Sequence, residues 1–137
     1  MADTQNPIVV EILSPDGVTF SDDGIDMVAA RAADGEFAIM KNHLPLAAAL
    51  ETCVVRVKKG GKERKIAVFG GFLEVENNKV NIISPQAELA ESIDIARAQA
   101  AEKRARDRLS SHSKDIDMER AERALQRAMI RLQATKR

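Results

Sequence analysis

Up to Pro85 the apolar residues of this chain alternate with polar ones in short runs. From Glu88 onward they recur every three or four positions. Period two puts alternate side chains on one face of a strand, and a period near 3.6 puts them on one stripe of a helix. Gly, Asn and Pro interrupt the first stretch, whereas Glu88 to Arg137 holds neither Gly nor Pro and is dominated by Ala, Arg, Glu and Leu. The pattern predicts an α+β chain in two segregated parts: a β-sandwich over residues 1–86 and an antiparallel helix hairpin over 87–137.

Within the first part, Ile8 to Leu13 reads as a strand closed by the turn Ser14-Pro15-Asp16-Gly17. Val18-Thr19-Phe20 is a second strand, Ser21-Asp22-Asp23-Gly24 a turn, and Ile25 to Ala29 a third strand. Asp34-Gly35 predicts a tight turn before Phe37 to Met40, while Ala47 to Leu50 fits either a strand or a short helical turn. Cys53, Val55 and Val57 share one face of a strand whose other face carries Arg56 and Lys58. Gly60-Gly61 then makes a hairpin turn. Arg64 to Phe69 returns, Gly70-Gly71 bends the path, Phe72 to Glu76 goes out again, and Asn77-Asn78 turns the chain into Lys79 to Ile83. Many short strands with regular turns suggest a sandwich or flattened barrel.

In the second part, Ser92 or Asp94 is a fair N-cap for a helix running to about Leu109, and Asp115 or Asp117 for one running to about Ala134. The loop between them is Ser110 to Ser113. Ala98, Ala101, Ala105 and Leu109 form the apolar stripe of the first helix. Met118, Ala121, Leu125, Met129 and Leu132 form that of the second. Stripes lined by Ala allow close approach but bury little area, so such a hairpin can open.

Composition narrows the reading. All four Phe lie at or before residue 72, and there is no Trp or Tyr, so the core belongs to the first part. Net charge is zero, yet residues 1–85 carry 9 basic and 12 acidic residues and residues 86–137 carry 12 and 9. The cationic tail suits an acidic protein or anionic ligand better than bulk nucleic acid. One cysteine, Cys53, allows no internal disulfide, and its alternating surroundings suggest packing rather than reactivity. No run approaches the roughly 20 apolar residues that span a bilayer, and the first residues lack a signal-peptide pattern; the default expectation is a soluble cytoplasmic protein. Gly60-Gly61-Lys62 lacks the spacing of a phosphate loop, and His43, without a second His or Cys nearby, makes a poor metal site. No catalytic site or catalytic cofactor is expected.

In order and spacing, Leu13-Ser14-Pro15 with Phe20, Asp34 to Ile39, Asn42-His43-Leu44-Pro45-Leu46, Val68 to Val75, Val80-Asn81-Ile82 and Ile93-Asp94-Ile95-Ala96-Arg97-Ala98 resemble the epsilon subunit of bacterial F-type ATP synthases. The chain departs from that family where Ala38 and Thr52 replace frequent glycines, and near Met40. The resemblance implies a sandwich of about ten short strands and a C-terminal helix hairpin. It also implies a non-catalytic rotor subunit peripheral to the cytoplasmic side of the cell membrane. The implied partners are the gamma subunit, the membrane c-ring and the catalytic alpha and beta subunits, without membrane insertion or nucleic acid. Glu36 and His43 would mark the face toward the ring and gamma; the alternative is a solvated turn residue and a hydrogen-bonded structural histidine.

Arg127 and Arg131 are four apart and share a helix face. An antiparallel hairpin brings Arg97 beside the end of the second helix, so three guanidiniums would suit a triphosphate. Asp94 and Glu88 stand near enough to accept hydrogen bonds from adenine or ribose. In members of the family that bind ATP as a regulatory ligand, the implied positions are Glu88, Asp94, Arg97, Ala98, Arg127 and Arg131. The alternative is a solvated Arg-rich face paired with Glu119, Glu122 and Asp107. Lys103, Arg104, Arg106 and Arg108 either complement the helix dipole or dock on an acidic segment of a beta subunit. Two functions therefore stand side by side: a rotor subunit whose hairpin brakes ATP hydrolysis, and a free-standing nucleotide- or nucleic-acid-binding module. The missing aromatic platform counts against single-stranded nucleic acid.

Overall fold

The computed structural model describes residues 7–136. Eight strands precede two helices: β1 (Ile8–Ser14), β2 (Gly17–Ile25), β3 (Met27–Ala32), β4 (Gly35–Met40), β5 (Leu46–Lys59), β6 (Lys62–Glu76), β7 (Lys79–Ile83), β8 (Ala87–Leu89), then α1 (Ile95–Ser111) and α2 (Met118–Thr135). The pairing path runs β2-β1-β7-β6-β5-β3-β4, with β8 on β6.

β5 and β6 pair along 14 and 15 residues and serve both layers of the sandwich. The first half of β5 and the second half of β6 join β7, β1 and β2. The second half of β5 and the first half of β6 join β3, β4 and β8. Counted by layer, these are five and five segments, which is how eight hydrogen-bonded strands make a ten-segment sandwich. Ile12, Ile25, Val28, Ile39, Val55, Ile66, Leu73 and Ile82 are fully buried and draw both layers into one core. Burial above all holds the Cys53 thiol above its ordinary pKa, with the Glu51 and Glu36 carboxylates adding to a shift that Arg31 partly offsets.

The turns form where the sequence needs positive φ. Gly60-Gly61 and Asn77-Asn78 all adopt it, as the tight turns of two-residue hairpins require. Gly70-Gly71 also has positive φ but does not end a strand; β6 runs through it and bends from one layer into the other. Ala47 to Leu50 is strand.

Two expected boundaries shift. Ser21 to Gly24 is not a turn: two steps along β1, Ile8 to Val10, oppose three steps along β2, Ile25 to Asp22, so Asp23-Gly24 forms a bulge inside a continuous strand. Lys59 Nζ donates to Asp22 Oδ1 across it at 3.0 Å, and that bond is the main reason the Asp22 carboxyl lies below its ordinary pKa. The expected strand Ile25 to Ala29 is divided at Asp26, whose amide donates to the Lys58 carbonyl and whose carboxylate receives the Gly60 amide.

The change of pattern at Pro85 is a crossing between layers. The Ser84 amide donates to Leu13 in the first layer, and its buried hydroxyl donates to the Gln86 carbonyl. The Phe69 amide also donates to the Gln86 carbonyl, and three register pairs follow between β6 and β8. Sheet pairing thus continues through Leu89, three residues past the expected end at 86.

Asp94 caps α1 and Asp117 caps α2, each accepting from the amide three residues on, at 3.1 Å. Ala98 and Ala105 of the expected α1 stripe are buried. The α2 stripe holds at Ala121, which is buried, but is otherwise rotated: Met118 and Met129 are exposed, while Ala128 and Ala134 are buried. The reason is tertiary, because α2 packs on two surfaces. One is α1; the other is the sandwich, where Ala134 and Ile130 meet Ala67 and Phe69.

Candidate functional site

A cleft of about 450 Å³ opens where β8, the start of α1 and the end of α2 meet. Its size falls within the range of small-molecule sites, roughly 300–1,000 Å³. Glu88 enters from the last strand and Asp94 from the cap of α1. Arg97 enters from the first turn of α1, and Arg131 from near the end of α2. Ala98 and Ala101 floor the cleft; their small side chains leave the room that longer ones would fill. Five of the six expected positions, Glu88, Asp94, Arg97, Ala98 and Arg131, therefore line one cavity.

Arg127 does not. It is half-buried one turn earlier on α2 and makes no ion pair among the described residues. Four residues of helix separate it from Arg131 by about 6 Å along the axis, which takes it past the cleft wall. Arg104 lines the cleft instead, with Gln86. Arg104 stands seven residues, two turns, after Arg97 and so on nearly the same helix face. That spacing was a readable signal, hidden in the basic cluster Lys103 to Arg108.

The polar groups are already organised. Arg131 Nε donates to Glu88 Oε2 and Oε1 at 3.1 and 3.2 Å, and Nη2 donates to Oε1 at 2.9 Å. The Arg131 guanidinium lies 4.8 Å above the Phe69 ring. Gln86 Nε2 donates to Glu88 Oε1 at 3.0 Å. Asp94 spends one oxygen on its cap bond to the Arg97 amide. Three guanidiniums against two carboxylates leave the cleft one positive charge in excess, and guanidinium forks match phosphate oxygens in pairs. The arrangement can bind an anion that also offers hydrogen-bond donors to carboxylates. It holds no nucleophile–base pair.

The other expected residues lie elsewhere. Glu36 is the second residue of β4, and His43 lies three residues past the end of that strand. Arg56 donates to the Glu36 carboxylate, and His43 Nδ1 is 2.6 Å from the Leu44 carbonyl. Arg106 and Lys103 pair within α1, with Glu102 and Asp107. Among the described residues there is no cluster of three or more metal-ligating side chains, and no helix is long and apolar enough to cross a membrane.

Comparison with known proteins adds an independent line. Residues 7–90 match the family model of the ATP synthase delta/epsilon chain β-sandwich domain, and residues 91–136 match that of its long α-helix domain. An ATP synthase epsilon chain of Desulforamulus reducens is 46% identical over 134 residues, spanning 98% of both chains. One from Bacillus velezensis is 50% identical over 125 residues, covering 91% of this chain and 94% of its own. Among solved structures, the chain is similar to one in the mitochondrial ATP synthase of Euglena gracilis. The TM-score is 0.76 at 22% identity, covering 88% of this chain and 76% of that one, a likeness of fold.

Proposed function

The chain belongs to the delta/epsilon chains of ATP synthases, and on that premise we propose that it is a central-stalk rotor subunit whose helix hairpin binds ATP as a regulatory ligand. The observation that carries the nucleotide reading is the convergence of Arg97, Arg104 and Arg131 with Glu88 and Asp94 in one cleft. Those residues come from β8, α1 and α2, so the cleft exists only while the hairpin lies folded on the sandwich. A ligand that binds one conformation shifts the equilibrium toward it by its difference in affinity. ATP would hold the hairpin down without being consumed. ATP scarcity would release it to extend into the catalytic alpha and beta subunits and block hydrolysis, at the cytoplasmic side of the membrane.

The sandwich supplies the coupling surfaces. Val18, Leu13, Ile83, Phe72 and Ala49 follow one another across β2, β1, β7, β6 and β5. Val18, Ile83 and Phe72 in that row are 58%, 58% and 63% exposed. An apolar row of this length on one sheet face suits a protein partner, and the gamma subunit is the one we assign to it. The exposed Met40 and Leu44, at the end of β4, would face the c-ring of the proton- or sodium-driven complex.

Calorimetric titration of the isolated protein tests the nucleotide site. ATP should bind saturably and more tightly than ADP, and Arg97→Ala or Arg104→Ala should weaken binding at least tenfold, about 1.4 kcal/mol per lost contact. No heat at millimolar ATP would leave a rotor clamp with a purely structural role. Copurification with alpha, beta and gamma chains separates both from a free-standing nucleotide-binding module.

A further inference from the structure

Two helices lined by alanine need something besides apolar area to stay on the sandwich. The apolar footing of α2 is one small cluster: Ala134 and Ile130 with Ala67, Phe69, Val54, Ala90 and Ile93. Beside it stands the Glu88–Arg131 pair. Glu88 sits on β8, in register with Ala67 of β6, directly in the sheet that α2 covers. Arg131 reaches it with three N–H···O contacts of 2.9 to 3.2 Å while its guanidinium lies on Phe69. The two side chains are only 23% and 28% exposed, so solvent screens the pair weakly. Among the described residues, it is also the one ion pair that joins either helix to the sandwich; the others lie within the sandwich or its adjoining segment, or within a single helix.

We propose that the Glu88–Arg131 pair, stacked on Phe69, is a ligand-independent latch that holds the hairpin folded on the sandwich. Its parts all belong to this chain and none of its bonds involves a ligand, so the inference does not rest on the ATP reading. The hairpin then has a resting bias toward the folded state, to which a ligand gripped by Arg97 and Arg104, without displacing the pair, adds. A planar, bidentate contact is also all-or-none: a small displacement of α2 breaks the fork and the ring stacking together. Opening is therefore a discrete event.

The test is amide hydrogen exchange on the full chain in nucleotide-free buffer, where exchange rates follow the local opening equilibrium. In Glu88→Gln and in Arg131→Gln, amides from Ile130 to Ala134 should exchange about tenfold faster than in the parent, with β5 and β6 amides unchanged. The reversed pair, Glu88→Arg with Arg131→Glu, should slow α2 exchange again. The proposal is overturned if both single variants keep α2 within twofold of the parent. It is equally overturned if β6 accelerates in parallel with α2, which marks a support of the whole sandwich, or if the reversed pair exchanges as fast as the single variants.

Discussion

Gly71 shows how much one hydrogen atom decides. A Cβ built there would stand 2.1 Å from the Ile83 carbonyl oxygen and 2.8 Å from the Ser84 Cα, on a backbone with φ of +114°. Both obstacles are backbone, so neither can swing aside. Gly71→Ala should cost about 3 kcal/mol or more, read as a lowered midpoint in urea. Gly70→Ala, with positive φ but its nearest neighbour 3.8 Å away, should cost about 1 kcal/mol. If the two variants are equally stable, the close approach of β6 to the layer crossing at Ser84 is wrong. The sequence announces a bend at this Gly pair without saying which glycine is indispensable, because the obstacle comes from a segment twelve residues later. Arg104 and Arg127 repeat the lesson in the cleft. Both are readable as helical arginines, and only the docking of the hairpin selects the first for the cavity.

At the scale of the element, local chemistry is legible and orientation is not. Asp94 and Asp117 begin their helices because a short side-chain oxygen can satisfy an otherwise unpaired amide. That argument needs no tertiary contact, and the residues could be chosen by reading. Asp94→Ala and Asp117→Ala should each cost about 1 kcal/mol in thermal or chemical denaturation. They separate on nucleotide: Asp117 is outside the cleft, so its variant should titrate ATP as the parent does, while Asp94→Ala should bind more weakly. Equal titrations would show Asp94 to be a cap and nothing more. The phase of α2 was beyond such reading. Met118 and Met129 continue a regular stripe in sequence, yet they face solvent because α2 serves both α1 and Phe69 of the sandwich. The wedge between those surfaces admits Ala128 and Ala134 more closely than Met.

At the scale of the molecule the two parts are unequal in what they can bury. The sandwich closes its own core of Ile, Val, Leu and Phe. The hairpin buries only alanines fully, and isolated helices of this length are marginal in water. A fragment of residues 1–90 should therefore unfold cooperatively with a β-type circular dichroism spectrum. A fragment of residues 91–137 should be less than about half helical at 25 °C. A stable, fully helical hairpin fragment would show that α1 and α2 hold each other without the sandwich. A hairpin that leans on its neighbour is what a part that docks and undocks requires.

The five expected residues that line the cleft came from the family resemblance, whereas by itself the sequence determined the two-part organisation, most strands and turns and both helix caps. Those features follow from side-chain period, positive-φ turn residues and local hydrogen bonding, all of which act over a few neighbouring residues. Tertiary structure decided the sharing of β5 and β6 between layers, the bulge at Asp23-Gly24, the rotation of α2, the choice of Arg104 over Arg127 and the pairing of Glu88 with Arg131. Each of these depends on segments far apart in the chain competing for the same space or the same charge, and spacing along one segment carries no record of that competition.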